Sequence, residues 1–138
     1  MTFKFYIDEN LMPDVVPSLI SVYKGHHFRV PSQEHLLGLD DLELFPELAL
    51  RNYNCIVTED KQQLSNQEER DALRVANLHW VGFKKLPVAG VAQLASQVAI
   101  VTSGLGWVLD DWSGTVPTAY RLQGAKSYND WRPEVEPI

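Results

Sequence analysis

The sequence predicts an α/β fold, a three-layer sandwich whose central, mainly parallel sheet is flanked by helices. Three observations predict it. The runs Phe3-Lys4-Phe5-Tyr6-Ile7 and Cys55-Ile56-Val57 are short and apolar, as suits strands covered on both faces. Segments with apolar residues at helical spacing separate such runs, so strand and helix alternate along the chain. Each of the two runs also leads into acidic residues, Asp8-Glu9-Asn10 in one case and Thr58-Glu59-Asp60 in the other. In open parallel sheets, ligands bind beyond the carboxyl ends of the strands, where these acids would lie.

At 138 residues the chain is expected to form a single domain, 1–138, with a core over about 3–112 and a C-terminal extension over about 113–138. Eighteen acidic residues against 12 basic ones leave a formal charge of -6. That argues against a protein that coats nucleic acid by bulk charge, though not against an enzyme that handles it through bound cations. Cys55 has no partner for an intramolecular disulfide and reads as a small buried hydrophobe. No cationic segment followed by an apolar one opens the sequence, so a cytoplasmic location is expected.

In order, residues 11–23 form a helix whose stripe is Val16, Leu19, Ile20 and Tyr23. Pro13 and Pro17 belong in its first turn, which Asp14 would cap, and Gly25 closes it. Residues 26–30 form a strand stopped by Pro31, and 31–39 a loop. Asp40-Asp41-Leu42-Glu43 opens a helix to about residue 52, with Pro46 as its awkward member. Ser65 and Glu68 spell a capping box for a helix to residue 76. Residues 78–83 are the next strand. The uncharged stretch 86–109 is not read as a membrane span, because Gln93, Ser96, Gln97, Thr102 and Ser103 lie within it. It reads as a buried helix over 88–103 closed by Gly104, with a short helix over 106–112. Residues 118–123 suit an edge strand, and the tail from 126 is irregular.

Right-handed crossovers would bring Asp8, the segment before Asp41, and Asp60 to one edge of the sheet. Carboxylates gathered there repel one another unless a cation lies between them. Hard oxygen donors without spaced His or Cys ligands point to Mg²⁺ or Mn²⁺ rather than zinc, and such an ion can activate water against a phosphodiester. Each acid also has a plainer explanation. Asp40, Asp41 and Glu43 suit a helix start, Glu59 and Lys61 suit solvent, and Arg70 with Arg74 suits a solvated helix face. The recurrence of acids at the same end of separate strands favours the site.

Ile7-Asp8-Glu9-Asn10-Leu11 with Pro13, then Asp41-Leu42-Glu43, then Ile56-Val57-Thr58-Glu59-Asp60 followed by Asn66 and Glu68-Glu69-Arg70-Asp71-Ala72-Leu73, resembles the PIN-like domain of VapC-type toxins over roughly residues 3–112. The resemblance implies a Mg²⁺- or Mn²⁺-dependent endoribonuclease, the toxin of a toxin–antitoxin pair, neutralised by a cognate antitoxin. It carries the catalytic acids over to Asp8, Asp41 and Asp60, with Glu43 and Glu9 as further metal ligands. Gln62 stands where many relatives have another acid. Thr58 would position a carboxylate or the water, and Lys61 and Arg70 would contact the RNA backbone. Trp107, Val108, Leu109 and Trp112 suggest apolar surface for a homodimer, the common state of the relatives.

Two alternatives compete with this expectation. A receiver-like phosphoacceptor domain also places acids after its first strand and an Asp after a central one. Against it, Asp60 lies beyond Thr58 and Glu59, and no Thr or Ser ends the following strand. A catalytically weak PIN-like module that only binds RNA or antitoxin is the second, and Gln62 favours it.

Overall fold

Five strands form one sheet in the order β2-β1-β3-β4-β5, where β1 is Lys4–Ile7, β2 His27–Arg29, β3 Cys55–Glu59, β4 His79–Phe83 and β5 Ala119–Arg121. Every neighbouring pair is parallel. The computed structural model describes residues 1–59, 64–112, 116–124 and 128–137. The predicted α/β sandwich is the observed architecture.

The layers follow from the two-residue period of the strands. Phe5, Ile7, Cys55, Val57, Val81 and Phe83 face one way, onto α1 (Val16–Val22) and α5 (Gly90–Asp111), where Leu19, Ile100, Val101, Leu105 and Val108 meet them. Tyr6, Ile56 and Trp80 face the other way, onto α3 (Asp41–Leu50) and α4 (Gln67–Val75), where Leu44, Phe45, Leu48 and Leu73 complete a second cluster. Central strands clothed on both faces must be apolar on both faces. Their continuous hydrophobicity in the sequence has this cause.

Local expectations met long-range packing with mixed results. Asp40 caps α3 as expected, its carboxylate accepting the Glu43 N–H at 3.0 Å. α3 continues through Pro46 to Leu50. Asp14 caps nothing; it lies in a short 3-10 helix, Pro13–Val15, that leads into α1 and leaves Pro17 in the first α turn. Part of the expected loop is a one-turn helix, α2 (Pro31–Glu34). The cap of α4 is Asn66, which accepts the Glu69 N–H at 3.2 Å, and not Ser65.

The largest correction concerns Gly104, which does not end a helix. α5 is one helix from Gly90 to Asp111. A Cβ at Gly104 would stand 2.7 Å from Leu122 Cδ2, and one at Gly106 would stand 3.3 Å from Tyr23 Oη. Both glycines admit neighbouring side chains against the helix. In length and composition α5 could cross a membrane. Its buried face is nevertheless the outer wall of the core, and Ser96 and Gln97 are buried with polar partners. The aromatic surface expected beyond it is mostly consumed inside the fold. Val108 is buried, Leu109 packs on the core, and the Trp112 ring lies 3.9 Å from His79 and 4.5 Å from Phe3. Of these four residues, Trp107 alone projects, 78% exposed.

An ionic hub ties the outer strand to the α3 layer. Glu34 accepts from Arg29 Nε at 3.0 Å, Arg51 Nη1 at 3.0 Å and the Tyr53 hydroxyl at 2.8 Å. Burial alone would raise its pKa. The three donors outweigh burial and hold the carboxyl down at about 2, against 4.5 unperturbed. A depressed carboxyl contributes stability that is present above its unfolded pKa and lost as pH falls towards its folded one. Between pH 5 and pH 2, the urea midpoint of the wild type is therefore expected to fall, and Glu34→Gln should flatten that part of the profile. Parallel profiles for the two proteins would rule the hub out as a source of acid lability.

Candidate active site

The strand order changes direction between β1 and β3: the chain leaves β1 for β2 on one side and finds β3 on the other. Beyond the carboxyl ends of strands at such a switch point the crossovers diverge and leave a crevice. Asp8 and Thr58 stand at this one.

Asp8 is buried, 5% exposed, and held from two directions. Its Oδ1 accepts the Glu9 N–H at 2.8 Å, and its Oδ2 accepts the Thr58 hydroxyl at 2.8 Å. Its own N–H donates to the Val57 carbonyl at 2.9 Å, continuing the β1–β3 ladder by one residue. Hydrogen bonds of this kind fix the direction of the carboxylate.

Asn10 continues that ladder with its side chain. Its Nδ2 donates to the Glu59 carbonyl at 3.1 Å, and its Oδ1 accepts the Glu59 N–H at 3.2 Å. The amide thus pairs with β3 as a peptide group of a neighbouring strand would. The same Nδ2 lies 3.0 Å from Thr58 Oγ1. Behind the turn stands Gln97 of α5, 1% exposed, whose Oε1 accepts the Met12 N–H at 2.8 Å. Its Nε2 reaches the Asn10 carbonyl at 3.5 Å, so α5 supports the turn that carries Asp8.

β3 is longer than its apolar run, because Thr58 and Glu59 pair with Gly82 and Phe83 of β4. Glu59, expected in solvent, is consequently buried, 7% exposed. The lengthened strand also brings its end to the residue before Asp60. Asp60 and Lys61, with Gln62, lie outside the described residues.

The other acids occupy a second position. Asp41 is the first residue of α3, and Glu43 is exposed in the same turn. Across from them on α4 is Glu69, whose carboxyl is pushed up by burial and then by the charges of Asp41 and Asp40. Glu9 joins the two regions: its Oε2 accepts the Gly38 N–H at 3.2 Å, tethering the loop ahead of α3 to the end of β1. Arg70 donates to the Leu64 carbonyl at 3.3 Å and lines a small cavity with Trp80. Among the described residues no three of His, Cys, Asp and Glu come together closely enough to hold a metal ion.

Sequence reasoning missed Asn10, Gln97 and Glu69 as parts of the site. Gln97 had a signal, a polar side chain in an otherwise apolar buried helix. Glu69 stood only as one residue of the family motif, with nothing local to mark it, since its neighbour Asp41 is distant in the chain.

A family profile described as PIN like domain matches residues 3–85, which takes in β1 to β4 with the Asp8 turn and the α3–α4 acids. No curated protein and no solved structure matches the chain.

Proposed function

Because the chain belongs to the PIN-like domain family, whose members are generally nucleases, we propose that it is a metal-dependent endoribonuclease of the VapC toxin type. The observation that carries this reading is the buried carboxylate of Asp8, oriented by Thr58 and Glu9 at the switch point of a chain with this family's profile. Nuclease chemistry also separates it from the receiver-like alternative. Asp60 does follow β3 directly, but β4 ends in Gly82-Phe83, followed by Lys84, without a hydroxyl.

The donors gathered here are hard oxygens, which suits Mg²⁺ or Mn²⁺ bound through one or two carboxylates with water and substrate phosphate completing the shell. Asp8 and Asp60 would hold it. Asp41 would be the third ligand in preference to Glu9, which already holds Gly38, and to Glu43, which is exposed. When bound, such an ion lowers the pKa of water and offsets charge on the phosphodiester. The chain's own part is positional. Thr58 keeps Asp8 from rotating, Asn10 sets the backbone at Glu59 ahead of Asp60, and Gln97 supports Asn10. Lys61 is proposed as a contact to the RNA backbone. Arg70 would serve there through whatever part of its guanidinium the Leu64 carbonyl leaves available. Partners on this reading are an RNA substrate, a cognate antitoxin and a second copy of the chain, in the cytoplasm.

A weak PIN-like binding module is the second reading, favoured by Gln62 and by the lack of a three-ligand cluster among the described residues. Incubation of the pure protein with a single-stranded RNA pool decides between them. Endonucleolytic products are expected with Mn²⁺ and none with EDTA. RNA that is bound yet intact in Mn²⁺ would favour the binding module.

A further inference from the structure

The carboxyl rim of the sheet changes sign from one strand to the next. β1 and β3 deliver Asp8 and Glu59, whereas β4 delivers Lys84 and Lys85. The β3–β4 register pairs Glu59 with Phe83, the residue before Lys84. From the strand of Asp8 to that of Lys84 is two strand spacings, about 10 Å. Both lysines are exposed, and neither joins an ion pair among the described residues, whereas Arg29, Arg51 and Arg74 each do. Two adjacent cations with no ion-pair partner among the described residues, in a chain of net charge -6, are a local reversal of its field.

They also wall a cleft. Lys84 and Lys85 border a volume of about 660 Å³ between the end of β4 and residues 122–124, with Leu86 and Leu122 as an apolar floor and Pro87 and Gln123 also lining it. This is within the size range of small-ligand sites, mostly apolar with a few polar groups at the margin. Its far side is drawn tight: a Cβ at Gly124 would stand 2.5 Å from Ile100 Cγ1.

We propose that this cleft is a nucleotide subsite for single-stranded RNA, with Lys84 and Lys85 holding phosphates that flank the one at Asp8 and the apolar floor taking a base or ribose. The inference rests on the nuclease reading for its substrate and adds to it where the strand lies. Single strands are bound by positive grooves that track the backbone beside faces that accept bases without strict sequence preference. The Gln123 amide, which can both donate and accept, is placed for a base edge. A duplex, with its bases already stacked, cannot offer one to the floor.

Fluorescence anisotropy with a labelled single-stranded RNA 12-mer in EDTA tests this without cleavage, comparing wild type, K84Q/K85Q and the equally charge-changing control K24Q/R132Q. The lysine pair variant is expected to bind about tenfold more weakly, with a log–log salt slope shallower by about 1.4, the release expected from two phosphate contacts on a single strand. The control should bind as wild type does, and a duplex of the same sequence should bind more weakly than the single strand. No binding by wild type, equal losses in the two variants, or preference for the duplex would overturn the subsite. Lysine-dependent binding of an RNA that is never cut in Mn²⁺ would support the subsite and overturn the nuclease instead.

Discussion

Asp8→Asn is expected to reduce Mn²⁺-dependent RNA cleavage by orders of magnitude while leaving the protein folded. Asparagine keeps the shape of the side chain and one of its acceptors. Its Oδ1 can still take the Glu9 N–H. Its amide nitrogen would meet Thr58 Oγ1, and that hydroxyl can turn its proton to the Glu59 carbonyl at 3.0 Å or to Asn10 Oδ1 at 3.2 Å. No buried donor need lose its partner, so the cost that usually follows a broken buried hydrogen bond is avoided. What disappears is the charge. Without a metal, removing one anion from a rim of acids leaves stability unchanged or raises it. With one, the loss of an anionic ligand weakens both the ion and the water it activates. Asp60→Asn is expected to behave alike. A purely structural Asp8 predicts the opposite pair of results, a lowered melting temperature and unaltered cleavage. Cleavage and thermal melts on the same preparations therefore decide, and full activity in folded Asp8→Asn would remove the catalytic assignment.

The largest stability effect is expected at Gly82. In β4, Trp80 and Gly82 point to the same face, and the indole folds down over the glycine. A Cβ there would lie 2.0 Å from Trp80 Cη2 and 2.5 Å from Cζ2. Trp80 is 1% exposed and anchors the α3–α4 side of the core, with the Arg121 guanidinium 5.5 Å from its ring centre. Gly82→Ala cannot be absorbed by a flexible side-chain end, because the obstacle is a rigid ring packed on its other side. The indole must swing out. Overpacking typically costs about 1–3 kcal/mol, and displacing a buried Trp approaches the cost of deleting it, about 3–5 kcal/mol. Destabilisation of about 3 kcal/mol or more is expected, read as a fall in the urea midpoint. Because Gly82 pairs with Thr58, the variant should also perturb the Asp8 site wherever it remains folded. A midpoint within about 0.5 kcal/mol of wild type would mean that the Trp80 packing is not as described.

Taken alone, the sequence determined the class of fold and the placing of acids beyond the carboxyl ends of its strands. Both are written in short-range signals: apolar runs of strand length, helical stripes between them, and acids within two residues of Ile7 and Val57. Asp40 as a cap was legible for the same reason, since the atoms it joins lie three residues apart. Tertiary structure decided whatever depended on a distant neighbour. β3 takes in Thr58 and Glu59 because Gly82 and Phe83 offer them partners, and that pairing buries an acid which looks solvent-bound in isolation. Gly104 looks like a stop signal, yet the helix passes through it because Leu122 occupies the space of its absent side chain. Asn10 and Gln97 are 87 residues apart and meet only when α5 crosses the sheet. Glu69 faces Asp41 only because α3 and α4 share a layer. Periodicity and turn chemistry report on the few residues either side of a position, whereas pair contacts across a parallel sheet are set by crossovers dozens of residues long.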